Sequence, residues 1–175
     1  KDILGFPLTH PNNGWLNLDY EDYVDIGVSS VFDVELYTIE AWIKPDVQVD
    51  TYPSIYINGN WDMSFNLDKG SMKLESFVNN GSAVNSDTAL TVGTWYHVVL
   101  VDNGTNRIFY LNGEEDGDGA ASVLMTAHEH VYIGKNPSYA DSNYVGMIDE
   151  VKVYNRALSA TEITKNYNHG KSKHS

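Results

Sequence analysis

Nine short runs of apolar and β-branched residues dominate the chain, each closed off by turn-forming residues. They read "WLNLDYEDYVDI", "YTIEAWIKP", "SIYIN", "DMSFNL", "MKLESFV", "TWYHVVLVDN", "RIFYLNG", "HVYIG" and "GMIDEVKVY". Val, Ile, Tyr, Phe and Trp fill them, and Gly, Asn, Asp, Ser and Pro separate them. Residues two apart on a strand share a face, so this pattern demands many short strands with a buried side. Strands at such spacing predict an all-β sandwich of two antiparallel sheets. In "TWYHVVLVDNGTNRIFYLNGEE" two strands flank "DNGTN", and the first is apolar on both faces, which marks a central strand. A second Asn-Gly, Asn112-Gly113, then leads into "EEDGDG", read as an acidic hairpin loop. One short C-terminal helix is expected at Ser159 to Asn166. Ser159 is its N-cap, and Glu162 three residues on completes a capping box.

At 175 residues, with no repeat or linker, the chain reads as one domain over 1–175, its core at about 16–167. The tail 168–175, with His169 and His174, reads as frayed. No run approaches the 18 apolar residues of a membrane span, so no membrane insertion is expected. With no cysteine there is no disulfide framework or thiolate chemistry. A net charge of -13 repels phosphate backbones and argues against nucleic acid. It suits neutral polysaccharides and cations.

The stretch "YVGMIDEVKVYNRALSATEI" poses the sharpest question. Strict alternation puts Asp149 on one face with Met147, Val151 and Val153, and Glu150 on the other with Lys152. A carboxylate in an apolar row needs a metal ion, a cation such as Arg156, or water.

Taken in order, "LDYEDYVDIG", "YTIEAWIKP", "GTWYHVVLV", "IFYLNGE", "YIGKNP" and "GMIDEVKVYNRALSATEI" resemble the laminin-G-like, concanavalin A-like jelly-roll domains found on bacterial secreted enzymes and surface proteins. One departure is Leu18-Asp19-Tyr20, where the family usually has Phe-Asp-Gly. The resemblance implies a jelly-roll sandwich that is secreted or cell-surface and attached to other domains. It also implies a structural calcium between the first motif and the last strand, with Asp19 and Asp149 as ligands and Asp22 as an addition. The functions it suggests are a carbohydrate-binding module, an adhesion domain, or a glycosidase.

Catalysis finds little support in the residues. Glycoside hydrolysis needs two carboxylates facing each other across the scissile bond, and no Glu-x-Asp-x-x-Glu strand occurs. Glu114, Asp116 and Asp118 have similar spacing but are interrupted by glycines. No EF-hand acid follows "DGDG" at the twelfth position. His128 and His130 lack a third metal ligand and read as surface histidines. The expected function is non-catalytic binding of a polysaccharide. Sugars stack on aromatic rings and hydrogen-bond to amides and carboxylates. Trp42, Trp95 and Trp61 are expected in the core, and Trp15 can go either way. That leaves the polar loops, with Tyr139, Asp141, Asn143 and Asn136 in "KNPSYADSNY" and Tyr52 in "VDTYPS", as the expected ligand site.

Overall fold

A computed structural model describes residues 3–5, 14–29, 32, 34–47, 52–59, 63–78, 81–121, 130–137 and 143–175. Its strands are β1 (Ile3–Gly5), β2 (Leu16–Leu18), β3 (Val24–Val28), β4 (Tyr37–Pro45), β5 (Ser54–Asn58), β6 (Met63–Leu67), β7 (Lys73–Val78), β8 (Val84–Ala89), β9 (Tyr96–Asp102), β10 (Asn106–Leu111), β11 (Glu114–Ala120), β12 (His130–Ile133) and β13 (Gly146–Tyr154). One helix, α1 (Ala160–Gly170), follows. Among the described residues no helix is long and apolar enough to cross a membrane.

The strands form two antiparallel sheets, as the alternation demands. One runs β1-β13-β4-β9-β10-β11, with β2 also on β13, and the other runs β3-β12-β5-β6-β7-β8. Their facing sides make a jelly-roll sandwich. Ile39, Ala41, Ile43, Val98, Leu100, Phe109 and Ile148 of the first sheet meet Ile55, Phe65, Leu67, Leu74, Val131 and Ile133 of the second. Each such side chain contributes about 1.5–3 kcal/mol by leaving water. A bulge between Ser54 and Tyr56 turns two successive residues, Ile55 and Tyr56, into this core.

Strand β9 is central, between β4 and β10. Its other face, with Val99 and Val101, packs with Tyr110, Tyr154, Leu158 and Ile163. The helix therefore covers the outer face of the seven-stranded sheet. The Ser159 side chain accepts from Glu162 N, and Glu162 returns the bond to the Ser159 backbone, the expected capping box.

Four expectations need correction. The tail is docked: α1 extends to Gly170, a 3-10 turn follows at Lys171–Lys173, and His174 is buried. The acidic "loop" is edge strand β11. Asn112 (φ 53) and Gly113 (φ 84) form a two-residue turn of the primed hairpin type, which folds β11 back on β10. An acidic, glycine-bearing segment is a weak strand former, but it makes a good edge strand because its charges discourage further pairing. Trp95 is half-buried rather than in the core, whereas Trp42 is buried as expected, beneath the tail. The alternation of β13 is also broken. The register shifts between Asp149 and Lys152, and Glu150 takes a left-handed φ of 49. Ile148, Val151 and Val153 therefore face the core, while Asp149, opposite Trp42, faces out.

Candidate functional site

Of the loop residues singled out in the sequence, Asn136, Asn143 and Tyr52 lie among the described residues. Asn136 is buried, and its Nδ2 donates to Tyr52 O at 3.1 Å. The half-buried Asn143 donates from Nδ2 to Tyr20 O at 2.7 Å. Gly134 O accepts from Tyr144 N at 2.8 Å, which ties the end of β12 to the approach of β13. Gly134 must be glycine, because its φ is +81 and a Cβ there would run into Leu18. Tyr139 and Asp141 lie outside the described residues, as do His128 and Trp61.

Asp19 and Asp22 shape the loop end to which Asn143 bonds. Asp19 Oδ1 accepts from Tyr20 N at 2.8 Å, Asp22 Oδ2 from Asp19 N at 3.1 Å, and Asp19 O from Asp22 N at 2.9 Å. These bonds build the turn that glycine usually supplies in the family motif. They also present tyrosines the sequence reading passed over. Tyr20 is 61% exposed and Tyr23 44%. Their signal was visible: both stand among acids in "LDYEDY".

Asp149 does not join this turn. Gly146 pairs with Leu18 and Ile148 with Leu16. Continuing that register puts Asp149 beside residue 15, four residues and about 13 Å from Asp19. Calcium gathers six to eight oxygens at about 2.3–2.6 Å, so these two carboxylates do not fit one ion. Asp149 also has its own partners. Oδ1 accepts from Glu150 N at 2.8 Å, and Oδ2 lies 2.9 Å from Nε2 of His174. Arg156 is taken by Glu162, at 2.7 and 3.1 Å. Asp19 and Asp22 remain a pair; no group of three His, Cys, Asp or Glu among the described residues is placed to hold a metal.

Two further acids near α1 are matched to lysines. Glu40 lies under α1 with Lys152 Nζ at 2.6 Å and Asn166 Nδ2 at 2.7 Å. Burial alone would push its carboxyl up, but His97 and Lys152 outweigh this and hold it at about 2. His97 Nε2 stands 3.5 Å away, beyond good hydrogen-bond geometry, so the lysine is the main partner. Glu150 lies between Lys173 at 2.6 Å and Lys152 at 3.6 Å. Glu75 is a buried acid of a different kind. Burial pushes its carboxyl up against hydrogen bonds from Asn66 and Asn85. It stands in a buried polar row in which Ser54 Oγ donates to Asn66 Oδ1 and Asn66 Nδ2 donates to Ser64 Oγ.

Solved structures share this fold at low identity. Domain 4 of an extracellular GH43 arabinanase from Geobacillus stearothermophilus, solved with arabinotriose, matches at 20% identity with TM-score 0.73, covering 86% of this chain and 75% of that one. A Bacteroides ovatus protein provisionally described as carbohydrate binding matches at 20% identity with TM-score 0.71, over 82% of this chain and 44% of that one. A Trypanosoma rangeli sialidase matches at 17% identity with TM-score 0.59, over 79% of this chain but only 23% of the sialidase. No curated protein sequence matches the chain. The family model described as the concanavalin A-like lectin/glucanases superfamily covers residues 18–164, and the chain belongs to that family.

Proposed function

We propose that this chain is a non-catalytic glycan-binding module that acts outside the cell as part of a larger protein. The observation that carries the reading is the loop end itself. There Asn136 and Asn143 brace the loops, while Asp19 and Asp22 hold a turn that displays Tyr20. Exposed aromatic rings among amides and carboxylates are what a sugar needs, C–H faces to stack and partners for its hydroxyls. The arabinanase domain solved with arabinotriose supports the same reading. Such a module would raise the local concentration of substrate for an attached catalytic domain.

The non-catalytic part rests on the carboxylates. Hydrolysis needs a raised acid facing a second, ionised carboxylate. Glu40 and Glu150 are paired with lysines and Asp149 with His174, while Glu75, raised by burial and by the Asp68 carboxylate, keeps amides as its hydrogen-bond partners.

A glycan array on the purified chain, followed by calorimetry with arabinotriose and a reducing-sugar assay, tests the reading. We expect saturable binding to at least one neutral glycan and no release of reducing ends. Release of reducing ends that Glu75→Gln abolishes would make the chain an enzyme. A blank array with tight binding to a protein ligand would make it an adhesion domain.

A further inference from the structure

Tyr23 and Tyr132 come from opposite ends of the sequence and meet edge to face, with ring centres 6.0 Å apart at 74°. The Lys135 ammonium lies 3.7 Å from the centre of the Tyr23 ring and 5.2 Å from that of Tyr132. His130 stacks on Tyr132 at 5.7 Å and 16°, and its Nδ1 is 2.9 Å from Asp25 Oδ1. A bulge in edge strand β3 makes this possible. Gly27 pairs with Val131 and Asp25 with Tyr132, so one extra residue, Ile26, is accommodated between them. Gly27 takes φ +85, and its N–H donates to Asp25 Oδ1 at 2.8 Å. The bulge thus aims Asp25 at the same face as His130 and Tyr132.

The intersheet core makes little use of this assembly. Tyr23 and His130 are exposed, and Tyr132 and Lys135 are half-buried. No carboxylate among the described residues lies within ion-pair distance of Lys135, and its charge rests on the two rings. The result is an aromatic pair fixed before any ligand arrives, with a donor and a carboxylate at its rim. It borders the loop end, because Lys135 directly follows Gly134 and Tyr23 directly follows Asp22.

We propose that the Tyr23–Lys135–Tyr132 clamp is a stacking subsite for a neutral sugar ring. The assignment rests on the glycan-binding reading above and names where one ring of the glycan sits. A rigid ring pair loses little entropy on stacking. Lys135 can donate to a hydroxyl or ring oxygen, and Asp25 can accept from a hydroxyl. Charge selects the neutral class. Asp19, Glu21, Asp22 and Asp25 are all exposed in the segment that carries Tyr23, on a chain of net charge -13. A uronate or sialate would meet repulsion there.

The test is affinity electrophoresis of the whole chain in gels holding arabinan, xylan or galactomannan, with polygalacturonate and alginate as anionic gels. Wild type should be retarded in at least one neutral gel. Tyr23→Ala and Lys135→Ala should weaken that interaction about tenfold, the scale of one lost stacking contact. Tyr23→Phe should retain it, and all three should melt with wild type. Undiminished retardation of Tyr23→Ala would place the sugar elsewhere and leave the module reading standing. Retardation confined to the anionic gels would overturn the neutral class. Passage through every gel without retardation would overturn the clamp and the module reading together.

Discussion

The imidazole of His174 lies flat on the indole of Trp42, 4.3 Å between centres and 9° between planes, with Nε2 2.9 Å from Asp149 Oδ2. Nδ1 lies 2.9 Å from Gly170 O, and Trp95 meets the ring edge to face at 4.7 Å. A residue four positions beyond the end of α1 therefore compensates the carboxylate of the last strand. Sequence alone had offered a metal ion, Arg156 or water for that task.

His174→Ala should cost about 1–3 kcal/mol, since it leaves Asp149 buried without its partner. Adding Asp149→Asn should recover part of the loss by removing the stranded charge. Denaturant unfolding of the two variants measures both terms. Wild-type melting curves in calcium and in chelator should superimpose; a clear gain from calcium would restore the ion to the account.

The error at Asp149 shows where the sequence stops being legible. The two sheets, the central β9, the Asn-Gly turns and the capped helix follow from local rules of alternation, turn chemistry and capping. Those rules need no knowledge of what lies across the fold. The bulge at Glu150 violates alternation without any Gly or Pro to announce it, and one extra residue inverted the predicted face. The docking of His174 on Trp42 joins residues 132 apart and carries no local signature. The candidate site was partly legible for the same reason. Asn136, Asn143 and Tyr52 stood out by composition, whereas Tyr132 was hidden inside a strand whose outer face could not be told from its inner one.

The Glu40 carboxyl gives the chain an acid-sensitive joint. Its ordinary value is 4.5, and in the fold it is held at about 2. The ionised form is therefore favoured by folding. This stabilisation is complete above the ordinary value and fades as pH falls towards the depressed one. It is on the order of 3 kcal/mol. Unfolding measured between pH 6 and pH 2 should show this loss, and Glu40→Gln should flatten the curve. A variant whose stability falls as steeply as wild type would assign the acid limb to other carboxylates.

Asn136 and Asn143 should separate stability from binding. Asn136 is 1% exposed and spans from the end of β12 to Tyr52, so Asn136→Ala should cost about 1–2 kcal/mol by leaving a carbonyl without that donor. Asn143 is half-buried and holds the carbonyl of an exposed turn. Asn143→Ala should barely move the melting temperature yet weaken glycan binding severalfold, by freeing Tyr20. Calorimetry and thermal melts on both variants check the contrast, and equal effects on the two properties would contradict it.

Gly170 sets how closely the tail approaches the sheet. A Cβ at this position would meet Cε2 of Trp42 at 2.9 Å and Cζ2 at 3.1 Å, with Nε1 nearer still. Its backbone lies in the right-handed helical region (φ -84, ψ -22), so alanine is acceptable to the chain itself and favoured by helix propensity by about 1 kcal/mol. The contact opposes this. Trp42 is held between the tail and the sheet and stacks on Tyr167 at 5.7 Å, so it cannot retreat without disturbing either. Overpacking of this kind costs about 1–3 kcal/mol, which exceeds the propensity gain. Gly170→Ala should therefore destabilise the chain and shift its tryptophan fluorescence, because the carbonyl that receives His174 moves with it. Ser159→Ala, at the far end of the same helix, should cost about 1 kcal/mol through the lost cap and leave the fluorescence alone. A fluorescence change in the capping variant, or a more stable Gly170→Ala, would show that helix and tail do not press on Trp42 as described.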